Sequence, residues 1–257
     1  MESSNIGTIA RVGLTAKGIV YSLMGIVAMM AAFKLNGKSA KDAGTTGVFS
    51  FLEDQSGGKI LLGAIALGLI CYVIWRMIQA FRPSGENDKM AKRARYFFSG
   101  LAYSALTYQV IKMLFTKKQD GGQTNKEVAS EVLSADSGQL LLGLLAVVIL
   151  AIGIYQIYYG LSEKYRKHVS NAGPHGDKLL LAGKVGYVAR GAVWLLVAYL
   201  FFRAAMDSNS SEAGSTPEAF GYLRQTEYGT LLMAMMALGL FCYGVFCFVR
   251  AKYEEFN

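Results

Sequence analysis

Apolar residues along the chain gather into six runs: Leu14 to Phe33, Ile60 to Phe81, Tyr96 to Phe115, Leu140 to Leu161, Val185 to Phe202 and Leu231 to Val249. Each run is about 18–22 residues long, and at about 1.5 Å rise per residue that length crosses a hydrocarbon layer of about 30 Å. None carries the polar stripe of a helix that lies on a soluble protein. The pattern predicts six membrane-spanning helices. The connections after the odd-numbered runs carry helix-start signals. Thr124-Asn125-Lys126-Glu127 and Ser215-Thr216-Pro217-Glu218 are capping boxes, and Thr46 to Leu52 has a weaker cap. Apolar residues follow each at helical spacing. They predict three short helices, either lying on the outer membrane surface or serving as ordered connectors. The connections after the second and fourth runs, Arg82-Pro83-Ser84-Gly85 and Asn171-Ala172-Gly173-Pro174, read as turns. Ala31-Ala32 looks like a leader cleavage region, but the apolar stretch before it is too long for a leader and aligns with two later runs.

The runs repeat in pairs. Arg11 to Gly18 returns as Arg93 to Gly100 and as Lys184 to Gly191, and an aromatic residue follows each final Gly: Tyr21, Tyr103, Trp194. Gly58 to Gly63 corresponds to Gly138 to Gly143 and, more loosely, to Gly229 to Ala234. From Gly18 to Gly58, Gly100 to Gly138 and Gly191 to Gly229 the intervals are 40, 38 and 38 residues, near-equality that chance does not supply. The expected organisation is a single membrane domain over residues 1–257, with repeat one at 9–82, repeat two at 90–165 and repeat three at 181–253. Repeats of two spans share one orientation, so a pseudo-threefold axis along the membrane normal is expected. The fold class is all-α: a polytopic membrane protein of six transmembrane helices in three tandem two-helix repeats.

Composition agrees. The 257 residues are 53% hydrophobic and only 17% charged, against about 25% charged in soluble domains. The net charge of +8 is unevenly placed. The side that holds both termini, with the span ends facing it, carries 16 of the 26 Lys and Arg and 7 of the 18 acids. By the positive-inside rule that side is cytoplasmic, which places both termini inside a bacterial cytoplasmic membrane. Nucleic acid is not needed to explain the charge. Arg82, Lys89, Lys92, Arg93, Arg95, Lys164, Arg166 and Lys167 are expected to face the headgroups of anionic phospholipids in the surrounding bilayer.

Polar groups inside the spans are the candidate solute- or lipid-binding residues: Lys17, Arg76, Arg190, Trp194, Gln109 and Gln156. Lys17, Ser99 and Arg190 share one repeat position, and Arg76, Gln156 and Cys247 share another. One turn beyond the first set lie Tyr21, Tyr103 and Trp194, which suggests a cation–π contact of Arg190 with Trp194. These cations either form a basic vestibule for anions or snorkel to the interface. Ser22, Ser104, Thr107 and Gln109 are the polar candidates nearer the midplane, and no Asp or Glu lies in a span core. Gly18, Gly25, Gly63, Gly68, Gly100, Gly143 and Gly191 are read as helix-packing positions, where small residues permit close approach. Cys71, Cys242 and Cys247 have no disulfide or metal spacing, and His168 and His175 have no partner at ligand spacing. No catalytic, cofactor or metal motif is present, so no enzyme activity or cofactor is expected.

The stretch Lys184-Val185-Gly186-Tyr187-Val188-Ala189-Arg190-Gly191 with Trp194, and the Gly-x-x-Leu-Leu starts at Gly58 and Gly138, resemble the repeat of the bacterial domain-of-unknown-function 1206 family. The resemblance covers essentially the whole chain and implies a bacterial integral membrane protein, with no established activity. Repeat two departs from the pattern: Arg95 replaces Gly, and Ser99 replaces the cation. Two functions follow from these readings. One is a channel or transporter for small solutes or ions along the repeat axis. The other is a non-transporting scaffold that binds anionic lipid or a partner protein.

Overall fold

The computed structural model describes residues 3–82, 90–115, 130–131, 137–169, 176–207 and 213–254. The Thr124 capping box, most of the two expected turns, Lys89, His175 and the His168 and Lys167 side chains lie outside what is described. Among the described residues there are eight α-helices and no strand. Six are long: α1 (Ser3–Ala32), α3 (Gly58–Phe81), α4 (Met90–Phe115), α5 (Gly138–Leu161), α6 (Gly176–Met206) and α8 (Gly229–Tyr253). Two are short: α2 (Thr45–Glu53) and α7 (Thr216–Arg224).

Five of the long helices are apolar and long enough to cross a membrane, which makes the chain a multi-pass membrane protein. The exception is α4. Lys92, Arg93 and Arg95 crowd its first turns, Lys112 sits in its last, and Ser99, Ser104, Thr107 and Gln109 dilute what lies between.

The helices pack across the repeat boundaries as well as within repeats. α3 packs on α4, α5 on α6, and α8 returns to α1. The second long helix of each repeat thus lies against the first long helix of the next, and the third repeat closes on the first. Within repeats, α1 packs on α3 and α6 on α8. α4 and α5 are not among the closely packed pairs.

Two small–small contacts bring α1 against α3. A side chain added at Gly13 would lie 2.6 Å from the Tyr72 backbone, and one at Gly68 would overlap Ala16. The third repeat copies both, with Gly186 on Tyr243 at 2.6 Å and Gly239 on Ala189. α1 and α8 cross where Gly244 meets Ser22 and the Gly18 carbonyl. Small residues are what let backbones approach in lipid, where water no longer drives helices together.

Three equivalent cations tie the helix ends. Arg11 donates to the carbonyls of Ala251 (3.1 Å) and Lys252 (3.0 Å) at the end of α8. Arg93 donates to those of Ala80 (2.8 Å) and Phe81 (3.2 Å) at the end of α3. Lys184 reaches Glu163, just past α5, at 3.1 Å. A cation at a helix C-terminus satisfies orphan carbonyls and the negative end of the dipole. Glu163 also pairs with Arg166, and the Lys184 hydrogen bond first, then Arg166, pulls its carboxyl below the ordinary value of 4.5.

At the opposite end, α7 is a capped helix, and α2 follows Gly44 with no side-chain cap. Ser215 donates both its N–H and its hydroxyl to the Glu218 carboxylate, each at 2.8 Å. Their apolar residues Val48, Phe49, Leu52, Phe220 and Leu223 are buried in the bundle core. α2 and α7 pack on the long helices.

Candidate functional site

Three cations meet in the interior, with Lys17 and Arg190 six residues inward of Arg11 and Lys184, and Arg76 five before the end of α3. Lys17 of α1 is 3% exposed and donates to the Tyr72 hydroxyl at 3.1 Å. Arg76 of α3 sends Nε (2.9 Å) and Nη2 (2.7 Å) to the same oxygen, and Nη1 to Gln79 (2.8 Å). Arg190 of α6 donates to the Tyr243 hydroxyl at 2.6 Å. The rings complete the enclosure. Lys17 Nζ sits 4.9 Å from the centroids of Tyr72 and Tyr103, 5.3 Å from Tyr243 and 5.9 Å from Tyr21. The Arg190 guanidinium lies over Tyr21 (5.1 Å) and Tyr243 (4.8 Å), and that of Arg76 over Trp75 (4.5 Å).

Among the described residues no carboxylate is within ion-pair distance of Lys17, Arg76 or Arg190. The nearby acid, Glu254, takes Arg250 in a buried two-point pair at 2.7 and 2.9 Å. The Arg190 Nε, the Gln156 Oε1 and the Ser22 Oγ are buried without a hydrogen-bond partner. Cation–π contacts and phenol oxygens offset only part of the cost of burying three positive charges. A phenol has two acceptor pairs and one proton. Three N–H groups, one from Lys17 and two from Arg76, crowd the single Tyr72 oxygen, more than its acceptor pairs take, and one from Arg190 reaches Tyr243. The arrangement is rich in donors and positive charge, which is the chemistry of an anion site.

Lys17, Arg76 and Arg190 therefore come together, and Gln156 is buried on the neighbouring α5. Trp194 does not join Arg190. A long side chain on a helix points back toward the N-terminus, so Arg190 leaves Trp194 behind and reaches Tyr243 of α8 and Tyr21 of α1. Gln109 stands nearly two turns beyond Tyr103 on α4 and makes none of these contacts. Ser104 and Thr107 bond the carbonyls of Gly100 (3.0 Å) and Tyr103 (2.7 Å) in their own helix, which removes them as ligands.

Of the packing glycines, a side chain at Gly18 would meet Phe248 at 2.8 Å, at Gly25 the Phe241 nitrogen at 2.6 Å, at Gly100 Met77 at 2.8 Å and at Gly191 Ile157 at 2.6 Å. Gly63 and Gly143 do not fit: nothing lies within 4 Å of a side chain there, because that face of α3 and α5 points out of the bundle.

Tyr72 and Tyr243, the two acceptors, are absent from the candidates drawn from sequence. Their signal was a shared repeat position for a polar aromatic inside a span, with Ile152 in repeat two. The Arg250–Glu254 pair was hidden because it lies past the last apolar run.

The family profile described as Domain of Unknown Function (DUF1206) matches residues 12–82, 94–163 and 185–254, one stretch for each repeat. The chain belongs to the DUF1206 family. It is also 27% identical, over 252 residues, to the uncharacterized protein YxxB of Bacillus subtilis (strain 168), covering 95% of this chain and 90% of that one. No solved structure matches. The DUF1206 stretches begin one residue after Arg11, Arg93 and Lys184 and end one or two residues past the second long helix, so each leaves out the clamp cation at its start and keeps the helix end that such a cation ties.

Proposed function

We propose that this DUF1206 protein binds and passes small anions through a six-span bundle, without covalent chemistry. The observation that carries the reading is the meeting of Lys17, Arg76 and Arg190 on acceptor tyrosines with no carboxylate partner among the described residues. An anion supplies the missing negative charge and the acceptor that the buried Arg190 Nε lacks. α4 serves as the sixth span: its 26 residues match the length of the others. The cyclic packing of each repeat on the next supports a pseudo-threefold arrangement, with repeat two lacking the cation at Ser99. The charge asymmetry favours both termini on the cytoplasmic side of a bacterial inner membrane, against anionic headgroups.

The test is flux in proteoliposomes, with a panel of small anions, cations and protons under an imposed voltage. Protein-dependent anion flux that falls in Arg190→Gln, with folding intact, is the expected result. Silence across the panel from folded protein overturns transport and leaves a lipid- or partner-binding scaffold.

A further inference from the structure

Repeat two lacks the devices that close the other two repeats. Where Gly13 and Gly186 admit a neighbouring backbone, repeat two has Arg95, and where Tyr72 and Tyr243 receive it, Ile152. Where Ala16 meets Gly68 and Ala189 meets Gly239, repeat two has Phe98 and Val148. Arginine and phenylalanine cannot fit at backbone-contact distance, so α4 and α5 stand apart. The same repeat positions change environment accordingly. Ala16 is 5% exposed and Phe98 66%; Tyr72 is fully buried and Ile152 is 42% exposed; Val148 is 55% exposed where Gly68 is buried.

The inner mouth of this seam is cationic and aromatic. Arg95 crosses from α4 to donate to the Tyr155 hydroxyl of α5 at 2.6 Å, and lies over the rings of Tyr96 and Tyr155 at 5.4 and 5.8 Å. Lys164, just after α5, donates to Tyr158 at 2.7 Å and lies 4.5 Å from its ring. Neither cation has an ion-pair partner among the described residues. Exposed Lys92 adds a third charge at the start of α4. An apolar slot opening toward lipid, capped at the interface by unpaired cations, has the shape and charge of one amphiphile.

We propose that an anionic phospholipid occupies the α4–α5 seam, with its phosphate on Arg95 and Lys164 and an acyl chain between Phe98 and Val148–Ile152. This site is distinct from the interior cation cluster and does not depend on anion transport. In repeat three the Gly186–Tyr243 and Ala189–Gly239 contacts close the equivalent space and make it the reference; in repeat one an apolar groove of about 380 Å³, lined by Val12, Ala16, Ile65 and Gly68 among others, stays open beside the Gly13–Tyr72 contact.

The test uses phosphatidylglycerol with a photoreactive acyl chain, in phosphatidylcholine vesicles holding the full chain. Labelling is expected to concentrate at Phe98, Val148 and Ile152 over the closed equivalents in repeat three, Val185 to Ala192 and Met236 to Tyr243. Unlabelled phosphatidylglycerol competes and phosphatidylcholine does not. Arg95→Gln with Lys164→Gln lowers labelling by at least about tenfold, the effect of losing even one of its two charge-assisted contacts. Lys164→Gln alone, on the turn after α5, serves if the pair does not fold, and the competition in the unaltered chain needs no variant. Even labelling of all three repeats overturns the proposal. So does labelling indifferent to headgroup charge, or a cross-link between two copies of the chain through α4 and α5.

Discussion

One substitution, glycine to alanine, is expected to change sign between positions that look alike in sequence. Removing a glycine from a helix interior relieves about 0.5–1 kcal/mol of conformational cost wherever space allows. At Gly63 and Gly143 nothing lies within 4 Å of the new methyl group, so Gly63→Ala and Gly143→Ala gain stability of that order. At Gly13 and Gly186 the methyl carbon lands 2.6 Å from the Cα and nitrogen of Tyr72 and Tyr243. Carbon atoms pack at about 3.5–4.0 Å, so the helices must part by roughly 1 Å. The atoms in the way are backbone and cannot turn aside. Overpacking of this kind costs about 1–3 kcal/mol, which outweighs the helix gain and leaves a net loss of about 1–2 kcal/mol. The helix gain is common to all four, so the two classes should differ by the overpacking cost alone, about 1–3 kcal/mol. Thermal or denaturant unfolding of the four variants in one detergent measures it. If all four shift the same way, close helix approach is not what those glycines serve.

Arg11→Ala and Arg93→Ala each leave two helix-end carbonyls uncapped and should cost about 1–2 kcal/mol in the same unfolding assay. Lys184→Ala should cost less, be sensitive to salt and depend on pH. The Glu163 carboxyl is held below its ordinary value of 4.5 by Lys184, so its contribution is full above that value and is lost as pH falls through the lower folded value. The penalty of Lys184→Ala should therefore shrink in acid, and a penalty that is constant with pH refutes the pairing. Glu254→Gln breaks the buried pair with Arg250 and should cost about 3 kcal/mol or more, while replacing both residues by apolar side chains restores much of the loss. Tyr243→Phe removes the acceptor at 2.6 Å from Arg190 and should destabilise by about 1–3 kcal/mol. An unchanged melting point in that variant argues against the Arg190 hydrogen bond.

Much of this architecture is readable from residue order alone. The apolar runs mark the long helices, and the register of Gly18, Gly100 and Gly191 marks the repeats. The departure at Arg95 and Ser99 is visible too, and it falls where α4 and α5 part and where one interior cation is missing. Partner choice is not readable. Hydrophobic periodicity states which face of a helix is buried, not which helix buries it, so the return of α8 to α1 had no sequence signal. Helix faces also mislead where lipid replaces water, because Gly63 lies on an outward apolar face and Gly68 on an inward one of the same composition. Arg190 and Trp194 show a further limit: residues four apart share a face, yet side-chain direction separates their contacts. Of the short helices, α7 was legible from its Ser215–Glu218 cap, whereas α2 follows Gly44 without a side-chain cap and buries Phe49, not the Phe51 that helical spacing singles out.

The central claim is that the Lys17–Arg76–Arg190 cluster holds an anion, and the most direct measurement is unfolding of the detergent-solubilised chain across a series of small anions at constant ionic strength. A bound anion stabilises the folded chain by mass action. The unaltered protein is expected to melt higher as a small anion replaces a bulky one. Lys17→Met, which removes one buried charge at nearly constant shape, should fold at least as well and lose that response. Identical anion responses in the two proteins, or none in either, would contradict the account.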